Sequence, residues 1–440
     1  MPASVSVTAC RLSWGWHSAP AASGGSQGSA RLMLNVGMDA PQVTGKLDGI
    51  EVWDGVSALG PVRLCWDGDQ ITAAEPLQAA RWPGLCAIPG LIDTHVHLVG
   101  SAEGRQTDFA TWPLTTTREE QVLHGAAHAI RAMNAGVTTL RDMAGDSAQI
   151  ALGRAFDKGI LVGPRVLTFC VVGMTAGHHD LFTPAAVAQR PPTADGPDAC
   201  RRLVRTWARA GADGIKVATS GGVLSAGDKS GWRNYTGSEL AAIADEAHAL
   251  SMRVAAHAHS AAGVRAALEA GADSIEHGTE MSAEQAAVIA ERGIPVAPTL
   301  LINEAIAQAR VPVSDEARDK AALLVRERDE RFRHAAGRGV GFVLGTDANG
   351  FHVDFGDQMR ELRRMHEVLG YDAGQCLRAG TSGAAQAIGL GDRIGRLAQG
   401  YGADIVIMHG RPWLETADID TARIVAVISR GKVVAGALPE

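Results

Sequence analysis

The sequence predicts an α/β fold: a (β/α)8 TIM-type barrel with a small β-sandwich-like domain formed by both chain ends. Three observations over the 440 residues predict it. Eight short apolar runs alternate with amphipathic segments through the middle of the chain. Both ends read as strands and turns. The apolar runs finish on polar residues that packing alone does not call for. A barrel of this kind takes about 250 residues. A doubly wound open sheet is the competing architecture, and the count of eight favours the barrel.

In chain order, residues 1–45 read as a flexible or irregular N-terminal arm. Residues 17–30 (HSAPAASGGSQGSA) are small and polar, and no continuous apolar run suggests a signal peptide. Residues 46–88 and 391–440 are expected to share the small β-domain. Val62–Trp66 and Ile71–Ala73 flank Asp67-Gly68, a hairpin signal. Ala403–Ile407, Ile424–Ile428 and Lys432–Ala435 are further strands, the last two joined near Arg430-Gly431. Residues 89–390 form the barrel. Its eight runs are Gly90–His97, Gly136–Met143, Arg165–Val172, Gly214–Ser220, Arg253–His259, Ser274–Gly278, Pro295–Leu300 and Gly341–Asp347. Between them, Thr117 with Glu120, Thr236 with Glu239, and Ser282 with Gln285 each fit a capping box. Leu240, Ile243, Ala247 and Leu250 fall on one helix face. Ala210-Gly211-Ala212-Asp213 and Ala270-Gly271-Ala272-Asp273 are near-copies, each just before a strand.

Composition excludes several classes. Hydrophobic residues make 46% and charged residues 20%, an ordinary globular mix. Net charge is −7 and no basic tract occurs, so no nucleic-acid partner is expected. No run of about 18 apolar residues exists, so no membrane association is expected either. The six cysteines form no C-x-x-C pair, which favours a reduced, cytoplasmic setting.

The run ends carry the chemistry, because the C-terminal ends of barrel strands are where such folds place their active sites. Run 1 ends Asp93-Thr94-His95-Val96-His97, run 4 holds Ile215-Lys216-Val217, and run 5 ends Ala256-His257-Ala258-His259. Run 6 ends Glu276-His277-Gly278 and run 8 ends Gly345-Thr346-Asp347. Taken singly, each has an ordinary explanation: a chance H-x-H, a snorkelling lysine, a satisfied core histidine, a helix-capping aspartate. Together they put a ligand-competent residue at the end of five strands. Residues i and i+2 of a strand share a face, so His95 and His97 can converge on one ion. Lys216 sits among apolar neighbours, where burial lowers the amine pKa. A neutral amine can add carbon dioxide, giving a carbamate suited to bridging two metals.

With these motifs the chain resembles the amidohydrolase superfamily. It is most similar to the binuclear branch with a carboxylated lysine, the prolidase-like and imidazolonepropionase-like group. The resemblance runs from about Gly49 to Gly436. It implies two divalent metal ions, zinc by ligand type. His95, His97 and Asp347 would hold the more buried ion and His257 and His277 the more exposed one, with carboxylated Lys216 and a hydroxide bridging. It implies attack of that hydroxide on a carbonyl, with Asp347 moving the proton to the leaving nitrogen. His259 is expected to stand behind His257, and Arg141-Asp142 to form a supporting pair. In this group a tyrosine in the loop after run 4 helps bind a substrate carboxylate, which points to Tyr235. His178, in Thr175-Ala176-Gly177-His178-His179-Asp180, aligns with the histidine of a Gly-Gly-His-Gly loop, from which Ala176 and His179 depart.

The expected activity is hydrolysis of an amide C–N bond in a dipeptide-like or N-acyl-amino-acid substrate. A neutral carbamate, urea, lactam or phosphotriester is the alternative, and a non-catalytic barrel the third reading. The partners expected are a small-molecule substrate and further copies of the chain in a homo-oligomer.

Overall fold

A computed structural model describes residues 44–103, 109, 111–188 and 190–439. The arm expected over 1–45 lies outside the described residues except for its last two.

The chain opens with four strands, β1 (Thr44–Trp53), β2 (Ala58–Asp67), β3 (Gln70–Pro76) and β4 (Leu85–Pro89). β2 and β3 pair antiparallel with Asp67 opposite Gln70, so the hairpin forms one residue later than Asp67-Gly68 suggested. β4 runs through Gly90 into the barrel, whose strands are β5 (Leu91–Val96), β6 (Val137–Gly145), β7 (Arg165–Val171), β8 (Gly214–Ala218), β9 (Arg253–Ala258), β10 (Ser274–His277) and β11 (Val296–Ala297). All pair in parallel, in sequence order. The chain then returns to the first sheet as β12 (Ile405–His409), β13 (Ile424–Ser429) and β14 (Lys432–Gly436).

The first sheet therefore has the order β14-β13-β12-β4-β1-β2-β3 and draws on both chain ends. It folds over its own core, which gathers Leu47, Val52, Val62, Leu64 and Trp66 with Ile405, Ile407 and Ile428. Trp66 Nε1 donates to the Gly431 carbonyl at 2.9 Å, tying β2 to the β13–β14 turn across the sheet. The sandwich-like character is this closure of one sheet upon itself.

The barrel sheet has seven regular strands, not eight. The eighth run, Gly341–Asp347, is extended but irregular. Phe342 bridges Val296 on one side and Ala348 bridges Val96 on the other, so the ring closes through it. The regular ladder fails there for a chemical reason. Leu344 N–H leaves the sheet for the Ala379 carbonyl at 2.9 Å. Thr346 N and Oγ1 turn instead to the buried Asp93 carboxylate, at 3.1 and 2.6 Å.

Helices begin where their caps were read. Arg118–Asn134, Gly237–Ala249 and Ala283–Arg292 start on reciprocal capping boxes at Thr117, Thr236 and Ser282. Leu240, Ile243 and Ala247 are buried, whereas Leu250 lies at the helix end and is exposed. The Ala-Gly-Ala-Asp copies also act alike. Gly211 and Gly271 are left-handed helix caps. The carboxylates of Asp213 and Asp273 then accept from Thr168 N and Val254 N, at 2.7 and 2.8 Å. Each copy sews a helix return to the preceding strand.

Candidate metal centre

The strand ends converge. Asp347 Oδ1 lies 3.0 Å from His97 Nε2 and 3.7 Å from His95 Nε2. Lys216 Nζ lies 3.5 Å from His95 Nε2. The His277 ring is 5.1 Å from that of His95 and 4.6 Å from that of His257, centre to centre. The donor atoms of His95, His277 and Asp347 all fall within 4.8 Å of one another, as do those of His257, His259 and His277. The structure thus brings together all six residues expected to serve as ligands, and adds His259 to the second group.

Backbone strain gathers at the same place. His277 and Asp347 have φ of 69° and 57°, and Thr299 at the end of β11 has φ of 46°. Such conformations cost on the order of 1–3 kcal/mol each and persist where the surroundings impose them.

Hydrogen bonds fix most of the rings. His95 Nδ1 meets Glu276 Oε2 at 2.7 Å, leaving Nε2 toward Asp347 and Lys216. Glu276 in turn accepts from Arg141 at 2.9 Å and from Ser274 Oγ at 2.6 Å. Arg141 also donates to the Thr94 carbonyl at 2.6 Å. Arg141 and Asp142 support the centre from opposite faces of β6, since successive strand residues alternate: Arg141 spans the barrel interior, and Asp142 accepts from Leu98 N and Ala144 N. His277 Nδ1 meets Thr299 Oγ1 at 2.7 Å, and His259 Nδ1 meets Thr279 Oγ1 at 2.9 Å. His257 Nε2 lies 3.2 Å from the Gly221 carbonyl, an arrangement that leaves Nδ1 as its lone-pair nitrogen. Such outer partners set which imidazole nitrogen is free to coordinate.

The electrostatics suit a cation. Burial, reinforced by the neighbouring Lys216, pushes His95 down to about 4, and burial holds His257 and His277 well below the ordinary imidazole value. All three are neutral at pH 7, as ligation requires. For Asp347 burial acts upward, but His95 and His97 outweigh it and hold the carboxyl at about 2. Burial lowers Lys216 to about 8, against the pull of Glu276 and Asp347. A set of neutral imidazoles, one carboxylate and a partly deprotonated amine fits a borderline divalent ion of the zinc type.

The two residues assigned to substrate lie differently. His178 touches the cluster, its ring stacked 4.2 Å from that of His257. Its Nδ1 meets Ser225 Oγ at 2.8 Å, and Ser225 donates to Asp228 at 2.5 Å. Gly222 lets the loop close over it, since a Cβ there would stand 2.1 Å from His178 Cε1. Tyr235 is only 2% exposed, and its phenol donates to the Ala194 carbonyl at 3.1 Å. It is packed behind the loop, and a substrate could reach its hydroxyl only after that bond opened. Glu276, Thr299, Ser225 and Asp228 carry no sequence signal of their own. The one hint was the place of Glu276 beside His277 in the strand-end triplet Glu276-His277-Gly278.

Histidines, a carboxylate and a buried lysine at the C-terminal mouth of a parallel barrel define a barrel protein whose strand ends carry groups that could hold a divalent metal. The chain belongs to the Amidohydrolase family, which it matches over residues 86–435, and it is a hydrolase of that family. It is 31% identical to the ochratoxinase of Aspergillus niger over 345 residues, covering 74% of this chain and 70% of that protein. Among solved structures it resembles a Xaa-Pro dipeptidase with bound methionine in the active site, at 30% identity and TM-score 0.79, covering 89% of this chain and 99% of that one. The crystal structure of A. niger ochratoxinase is similar at 26% identity and TM-score 0.78, covering 90% and 96%.

Proposed function

We propose that the protein is a binuclear metal hydrolase that cleaves the amide C–N bond of a dipeptide-like or N-acyl-amino-acid substrate. The observation that carries this is the convergence of His95, His97, Lys216, His257, His277 and Asp347 on one point of the barrel mouth. The two relatives, an ochratoxinase and a Xaa-Pro dipeptidase, support the choice of substrate class.

His95, His97 and Asp347 would hold one ion and His257 and His277 the other, with Lys216, as its carbamate, a ligand within reach of both. When bound, the ions supply hydroxide at neutral pH and polarise the substrate carbonyl. Asp347 stays ionised and reachable, with 15% of its side chain exposed, so it takes the proton of the attacking water and delivers it to the leaving nitrogen. His178, held through Nδ1 by Ser225 and Asp228, donates from Nε2 to the carbonyl or to the free carboxylate of the substrate only as the imidazolium, the form that the Asp228 carboxylate favours. Tyr235 contributes to reading that carboxylate once its phenol leaves Ala194.

The buried phenol of Tyr235 and the exposed Trp232 nearby favour a second reading, a neutral amide, carbamate or urea. Turnover of the zinc-loaded protein on dipeptides, N-acyl amino acids, their C-terminal amides, carbamates and ureas separates the two. Acids cleaved well ahead of their amides support the first; equal rates, or turnover of aryl ureas alone, select the second.

A further inference from the structure

The helix Leu300–Ala307 is started in an unusual way. Its N-cap residue is a threonine, a type that ordinarily turns its hydroxyl onto the N–H groups of its own first turn. Thr117, Thr236, Ser260, Ser282 and Ser314 all do so here, and Thr111 and Thr381, before short helices of 4 and 6 residues, do not. Thr299 does not. It makes no side-chain cap bond, it is fully buried, and its backbone is left-handed (φ 46°, ψ 58°), a genuine outlier for a β-branched residue. Its hydroxyl lies on His277 Nδ1 at 2.7 Å.

The vacant capping duty is filled from another helix. Glu361, in Gln358–Leu369, is fully buried and points its carboxyl group at the first turn of Leu300–Ala307. Leu300 N donates to its Oε1 at 2.6 Å and Leu301 N to its Oε2 at 3.0 Å. Arg328 reinforces the joint by donating to the Leu300 carbonyl at 3.0 Å.

We propose that Glu361 is a positioning residue for the metal centre: by capping the helix Leu300–Ala307 from outside, it frees Thr299 and holds the Thr299 hydroxyl on His277 Nδ1. His277 then donates from Nδ1 and offers Nε2 to the ion. This rests on the reading of His277 as a metal ligand. The ring belongs to both donor groups of the cluster, so its orientation matters to each.

The test measures two properties of the full-length protein: the ring tautomer of His277 by ¹⁵N NMR without metal, and Zn²⁺ affinity by chelator competition. In the wild type His277 is expected as the fixed Nδ1–H tautomer. Thr299→Val removes the hydroxyl and leaves the Glu361 cap in place. It should release the tautomer and weaken zinc binding roughly 10–100-fold, the range found for outer partners of metal ligands. Thr299→Ser should behave as wild type. Glu361→Ala should reproduce Thr299→Val, and Glu361→Gln, whose amide oxygen still accepts, should fall between. Glu361→Ala that lowers Tm while leaving tautomer and zinc affinity within twofold of wild type would overturn the proposal. If Glu361→Ala does not fold, Thr299→Val with an unchanged tautomer overturns it equally. A wild type that takes up no zinc, yet loses its fixed His277 tautomer in both variants, would support the relay and overturn the metal reading alone.

Discussion

The barrel mouth contains the same pattern twice, and the two copies are wired differently. His95-Val96-His97 ends β5 and His257-Ala258-His259 ends β9, and in each the second histidine stands one residue or more past the strand. Around the first pair the partners are charged: Glu276 holds His95, and Asp347 faces both rings. Around the second pair they are neutral. Gly221 offers a carbonyl, Thr279 a hydroxyl, and His178 and His277 stack on His257 and His259 at 4.2 and 4.5 Å. In the proposed centre an ion beside His95 and His97 would gain the Asp347 carboxylate, whereas one beside His257 and His277 would share only the Lys216 carbamate and keep more of its own charge for a substrate. The period-2 geometry that aligns the histidines is identical, so the difference comes from groups delivered by other strands and the loops after them.

The widest consequence concerns Lys216, the residue proposed to join the two halves. Lys216→Ala is expected to abolish uptake of two metal ions and activity together, with partial recovery when short carboxylic acids replace the carbamate. Metal analysis that finds two ions in the variant would break the link. Asp347→Asn should lower kcat by about 10²–10⁴-fold, the usual share of a general acid–base group, while circular dichroism stays native. A variant keeping more than about a tenth of wild-type kcat, a change under roughly 1.4 kcal/mol, removes Asp347 from proton transfer.

The charged and neutral surroundings can be compared directly. Burial alone would raise the Glu276 carboxyl, but Arg141 and His95 outweigh it and hold it at about 2, below the ordinary 4.5. Its stabilising contribution is therefore present above pH 4.5 and lost as pH falls through about 2. Glu276→Gln leaves Arg141 buried without its counter-charge and should cost about 3–5 kcal/mol in denaturant unfolding at pH 7. A loss under about 1 kcal/mol would mean that the buried pair is not what secures β10 to β6 across the barrel.

The lysine also sets a pH dependence. With its pKa brought down to about 8, Lys216 is protonated below that pH and reactive above it. Reconstitution of metal-free protein with zinc, at constant dissolved carbon dioxide, should slow roughly tenfold for each pH unit below 8, since only the neutral amine adds carbon dioxide. A flat profile between pH 6 and 8 would show that no carbamate forms in the rate-limiting step. The smallest effect is expected on the neutral side. Thr279→Val removes one uncharged hydrogen bond to His259 and should cost about 1 kcal/mol of stability, well below the Glu276 change.

Much of this was legible in the linear sequence because it depends on short-range order. Three capping boxes are satisfied within four residues of chain, and helices begin at each. The Ala-Gly-Ala-Asp copies were visible as near-copies before strands and do act alike: the left-handed cap is local, while the carboxylate two residues later finds its N–H 45 and 19 positions upstream. The two further boxes at Asp146 and Asp372 were equally local and could have been read from the same rule. The strand-end residues were visible because residue type and strand position are both written in sequence.

Tertiary structure alone decided the partners. Glu276 reaches a histidine 181 positions away, Thr346 takes a carboxylate 253 positions away, and the Glu361 carboxyl meets a helix start 61 positions upstream. Each such contact depends on how the ring of strands closes, which no local pattern encodes. The Asp93 carboxylate takes Thr346 out of the ladder along the eighth run, which keeps only scattered cross-strand bonds at Val343, Leu344, Asp347 and Ala348. Tyr235 shows the same limit: its place in the loop could be read, but the direction of its phenol, toward the Ala194 carbonyl, was fixed by packing. Sequence determined which groups stand at the barrel mouth; the fold determined which nitrogen, oxygen or hydroxyl of each one faces the ion, because orientation belongs to contacts between distant segments.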